Sequence, residues 1–264
     1  MPPHEMASAT STLSRHRVVV LGALAAVVAL AWGYLLYLVL GRPMTGMDAG
    51  MTAMMAVPSW NVGYYLATLA MWMVMMAGMM LPSAAPTILL FDALHPRAGA
   101  AGRGAHAATV LFAAGYLVAW SVFSVAATIA QWGLDASGLL SATMTSSSPI
   151  FAGVLLLAAG AYQLSPWKSA CLGQCRSPAE FLVRHRREGG LGALVTGLQH
   201  GAYCIGCCWA LMVLLFAFGV MNLLWVAVLA VFVLIEKLTP AGALIGRVGA
   251  VVMISAGAAL MVVG

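Results

Sequence analysis

All five cysteines of the chain fall between Cys171 and Cys208, first as CLGQC and then, after a charged stretch, as GLQHGAYCIGCCW. On a helix turning about 100° per residue, His200, Cys204 and Cys207 lie within about 60° of one another, and Cys208 widens the arc to about 100°. One face then offers an imidazole and two or three sulfurs, donors that suit Cu(I) and Zn(II). A lone cysteine in an apolar helix reads as a small packing residue. The run His-x3-Cys-x2-Cys-Cys reads as a site, because a histidine inside a membrane span is costly and functional as a rule. Cys204-Ile-Gly-Cys207 is also a CxxC, a spacing that serves thiol exchange as well as metal capture. Cys171 and Cys175, four residues apart, form a second sulfur pair suited to transient docking of a metal.

Methionine is the second theme. Of 18 methionines, 11 lie between Met44 and Met80. Met71, Met75 and Met79 share one helical stripe, and Met73, Met76 and Met80 another. Thioethers bind Cu(I) without losing a proton, and they also fill gaps in a core; for the apolar stripes the packing reading is at least as strong. Met44, Met47, Met51, Met54 and Met55 lie in a loop beside Asp48, where packing gives no reason for them, and they suit copper capture. Glu236 and Lys237 end an apolar run and read as an interfacial ion pair, with a buried, proton-carrying Glu236 as the other reading.

These donors need elements to hold them. The chain is 63% hydrophobic and 7% charged, against about 25% charged in soluble domains. Several uncharged runs reach the ~20 residues of a spanning helix, and a backbone facing lipid must satisfy its own hydrogen bonds. The pattern predicts an all-α transmembrane bundle of about seven spans: Val18–Leu40, Val62–Phe91, Ala107–Trp132, Pro149–Leu164, Leu191–Phe218, Val220–Ile235 and Ala241–Gly264. Pro82 and Pro86 predict a bend or break in the second run. Residues 1–17 read as a cytosolic tail and 18–264 as one transmembrane domain, with a methionine-rich extracytoplasmic loop at 41–61 and a cysteine-bearing cytosolic loop at 165–190. Val18–Leu40 is too long for a cleavable signal and reads as a span. The basic residues lie in loops, so the net charge of +5 reflects orientation rather than nucleic-acid binding. Ten of them fall on one side if the N-terminus is cytosolic, which places the chain in a bacterial inner membrane. An odd, clustered set of cysteines does not make a secreted disulfide framework.

The blocks MMAGMMLPSAAP, YQLSPWKSACLGQCRSP, GLQHGAYCIGCCWALMVLLFAFGVMNLLWVAVLA and VLIEKL resemble the DUF2182 family of metal-binding integral membrane proteins, over roughly Ala70 to Pro240. The resemblance implies a polytopic fold and metal binding through Cys171, Cys175, His200, Cys204, Cys207 and Cys208. The preference for copper comes instead from the sulfur chemistry, with zinc as the second metal these donors take. The function expected is handling or transport of Cu(I): capture by the methionine loop, relay along Met71, Met75 and Met79, holding by His200 and the cysteines, and exchange at Cys171 and Cys175 with a metal-accepting protein in the cytosol or membrane. The rivals are a thiol-disulfide oxidoreductase using Cys204 and Cys207, and an assembly factor that loads a metalloenzyme. No nucleotide-binding motif supports an ATP-driven pump, and no residue is assigned a catalytic role.

Overall fold

The computed structural model describes residues 3–40, 60–94, 103–141 and 144–263. Among them the chain is mainly helical: α1 (Pro3–Leu40), α2 (Val62–Leu94), α3 (Arg103–Ala136), α4 (Pro149–Gln163), α5 (Pro166–Arg176), α6 (Pro178–His185), α7 (Gly189–Val213), α8 (Leu215–Phe218), α9 (Leu223–Leu238) and α10 (Gly242–Val263). The fold is the expected all-α bundle. The loop methionines Met44, Met47, Met51, Met54 and Met55 lie outside the described residues.

Five helical segments are long and apolar enough to cross a membrane, and six if α4 and α5 form one broken span. Seven is not reached by this measure. The run Val220–Ile235 is represented by α9, whose 16 residues fall short of the ~20 of a spanning helix; the turn at Gly219–Asn222 precedes it. Gly219 has φ +100°, a conformation open to glycine, and Asn222 caps α9 by accepting a hydrogen bond from Leu224 N–H.

Serine followed by proline opens three helices in succession. Ser148 and Ser165 accept hydrogen bonds from Phe151 N–H and Lys168 N–H, and Pro149, Pro166 and Pro178 take the first helical turn, where a missing N–H is harmless. Pro166 ends α4, and α5 leaves it at 64°. The segment 165–190, expected as a loop, is therefore mostly two short helices. Leu172 and Cys175 of α5 are buried.

Pro82 and Pro86, expected to bend or break the second run, do not break it: both sit inside an uninterrupted α2. Close by, Tyr116 Oη and Ser83 Oγ both donate to the Met80 carbonyl, at 3.1 and 2.9 Å. Neighbouring helices and Ser side chains make such prolines tolerable in membranes.

Small residues let α3 and α7 touch. A Cβ added to Gly197 would collide with the Phe112 carbonyl, and one added to Gly115 with the Leu194 carbonyl. Gly201, one turn beyond Gly197, faces Ala119. This small-xxx-small packing is the way membrane helices approach closely without a hydrophobic drive. It sets Tyr116 of α3 against the cysteine face of α7. Trp72 Nε1 donates to Gln131 Oε1 at 2.7 Å and ties α2 to α3. Gly153 and Gly257 perform the same close packing between α4 and α10.

Candidate metal centre

The cysteine face of α7 points inward. His200 is 2% exposed and Cys204, Cys207 and Cys208 are each 1% exposed. Cys204 is the most engaged: its Sγ lies 3.1 Å from Tyr116 Oη and 2.9 Å from Lys237 Nζ. Cys207 and Cys208 both turn their S–H toward the Cys204 carbonyl, at 3.1 and 2.9 Å, the back-bonding that a polar side chain makes to the preceding turn. Cys175 reaches in from α5, with its sulfur 4.0 Å from that of Cys207. Met80 reaches in from α2, with its thioether 3.9 Å from Cys208 Sγ. All five cysteines are free thiols.

Three helices thus bring four thiols and one thioether to one buried place. Among the described residues, however, no three His, Cys, Asp or Glu side chains form a group that could hold a metal ion together. The expected triad of His200, Cys204 and Cys207 shares an inward face but forms no such group. The ring of His200 lies among aromatics instead, with centroids 4.9 Å from Phe181, 5.7 Å from Tyr116 and 6.0 Å from Phe112. Its Nδ1 has no hydrogen-bond partner.

The other sequence candidates separate. Cys171 is half-buried, against Gly206 of α7. Met75 and Met79 are buried at 1% and 2% exposure, in the packed interior of α2. Of the second methionine stripe, Met73 faces outward at 40%, while Met76 and Met80 are fully buried. Met80 meets Cys208.

Glu236 and Lys237 do not pair with each other. Lys168 of α5 stands 2.7 Å from the Glu236 carboxylate. Gln163 bridges the two, donating to Glu236 Oε1 at 3.0 Å and accepting from Lys168 Nζ at 2.6 Å. Lys237 turns the other way, donating to Cys204 Sγ and, at 3.2 Å, to Ser83 Oγ. Both residues are buried, so the interfacial anchor is replaced by two interior contacts.

The donor set is soft, and thiols with a thioether suit copper. A family model described as "PpoB2: Copper chaperone" matches residues 69–260.

The chain belongs to this family.

The matched segment runs from α2 into α10 and contains every sulfur of the buried cluster. Membership makes copper the relevant metal and joins this helical architecture to copper handling. No curated protein and no solved structure matches the chain.

Proposed function

We propose that the chain is a copper chaperone of the bacterial cytoplasmic membrane, with a cytosolic N-terminus, that holds Cu(I) in transit on buried sulfurs. Cys204, Cys207 and Cys208 of α7, Cys175 of α5 and Met80 of α2 supply the donors, and copper is the cargo. The observation that carries this reading is the meeting of four thiols and a thioether from three helices at one water-poor place. Cu(I) is satisfied by few soft ligands, so a set of sulfurs engaged two or three at a time suits an ion that must move on.

The loop with Met44, Met47 and Met51 receives copper outside, and Met75 and Met79 line its approach. Half-buried Cys171 offers the exit to an accepting protein. His200 stands one turn from Cys204 and, with its unpartnered Nδ1, offers an imidazole nitrogen beside the path. Zinc is the competing metal. The family description favours delivery to a partner over pumping, which agrees with the lack of a nucleotide-binding motif.

The test is metal analysis of the detergent-purified protein beside C204S/C207S. Serine keeps the volume but not the soft donor. The variant should insert normally and lose its bound copper. Copper retained at the parent's stoichiometry and affinity would refute the site.

A further inference from the structure

Two lysines are buried in this bundle, and their charges are met differently. Lys168 faces the Glu236 carboxylate at 2.7 Å, with Gln163 bound to both. Lys237 has no carboxylate in ion-pair contact among the described residues. Its Nζ lies 2.9 Å from Cys204 Sγ and 3.2 Å from Ser83 Oγ, and the residue is 5% exposed. An unpaired ammonium out of water is costly, so the sulfur site is the place where its charge is balanced.

We infer that Lys237 makes the sulfur site selective for a monovalent ion. The inference rests on the copper-holding reading and adds the basis of its metal preference. Two thiolates around Cu(I) carry a net charge of −1, and the ammonium beside Cys204 brings the assembly to zero. Around Zn(II) or Cd(II) the same two thiolates are already neutral, which leaves the ammonium uncompensated in a medium where charge is poorly screened. A divalent ion recovers neutrality by drawing a third thiolate, which requires one more proton to leave Cys175 or Cys208. The fixed positive charge therefore favours Cu(I) and its redox-inert analogue Ag(I). Softness alone does not make this distinction, since Cd(II) is also soft.

The geometry supports a fixed charge rather than a swinging one. Lys237 is held by Ser83 as well as by Cys204, and Ser83 is anchored to the Met80 carbonyl at 2.9 Å. The ammonium, Met80 and Cys204 thus share one locus between α2, α7 and α9.

The experiment compares the reduced full-length protein in detergent with K237M, K237Q and K237R. Ag(I) and Cd(II) affinities are measured at one pH by competition with chelators, following thiolate-to-metal absorption. The parent should prefer Ag(I), and K237M and K237Q should lose at least tenfold of that preference, partly through tighter Cd(II). K237R keeps the charge and should stay within a few-fold of the parent. A preference unchanged in both neutral variants overturns the inference while leaving the copper site standing. So does an equal loss in K237R, which would assign the effect to shape. A parent that binds neither ion overturns the copper-holding reading, and the selectivity with it.

Discussion

Glu236→Gln removes one half of the buried pair and leaves Lys168 charged, at 2% exposure. Breaking such a pair from one side costs about 3–5 kcal/mol, because a charge is left uncompensated. Two features place this case near the lower end. The Gln163 oxygen still accepts from Lys168 at 2.6 Å, and a cavity of about 400 Å³ lined by Gln163, Lys168 and Glu236 can admit water to the edge of the triad. The expected loss is about 3 kcal/mol, a factor of roughly a hundred or more in the folding equilibrium. Removing both charges in K168M/E236L should recover only part of it. Gln163 then remains, with an unmet amide that costs about 1–3 kcal/mol. The triple variant that adds Gln163→Leu should therefore approach the parent. The assay is denaturant unfolding in mild detergent followed by tryptophan fluorescence. Lys168 and Cys175 are two turns apart on α5, about 10 Å, so E236Q should also lower copper loading, and the charge-free triple should restore it. An E236Q protein as stable as the parent would refute this reasoning, as would a triple variant that falls as far as E236Q.

Three further outcomes follow from the packing. Reporter fusions at Ser147 and Arg184 should give opposite signals if α4 and α5 form one broken span, and equal signals if they re-enter on the same side. Gly197→Ala drives a Cβ into the Phe112 carbonyl and should cost about 1–3 kcal/mol by overpacking, with weaker copper binding as Tyr116 shifts from Cys204; Gly173→Ala, which meets open space, should leave both unfolding midpoint and loading no worse. Maleimide labelling of the reduced protein should modify half-buried Cys171 first, and C171S should remove that fast phase; rapid labelling of Cys204 or Cys207 would contradict their burial.

Much of this arrangement was legible in the sequence because hydrophobic length and helical period act locally. His200, Cys204 and Cys207 fall inward as their spacing requires, and Met75 and Met79 do too. What failed depends on neighbours far along the chain. Lys237 follows Glu236, so an interfacial pair was the natural local reading, yet their partners come from α2, α4, α5 and α7. Met80 belonged to a stripe that read as packing, and nothing local says that it meets Cys208, 128 residues away. Pro82 and Pro86 do not break α2, since neighbouring helices can satisfy what a proline leaves free. The segment around Cys171 and Cys175 did carry an unused signal: Ser-Pro at 165–166, then Lys168, Leu172 and Cys175 at i, i+4 and i+7, the spacing of one helical face. Its charge obscured that stripe.

The opposed directions of Glu236 and Lys237 have a consequence for how this protein can vary over its history. Neighbours on α9 differ by about 100° in azimuth, and each is engaged with a different set of helices. A lineage cannot turn α9 to improve one engagement without spoiling the other. Drift at this point should come in packets: position 168 should change charge together with 236, while 237 should keep its cation as long as 204 keeps its thiol. Two adjacent letters of the sequence would then be inherited as members of separate groups.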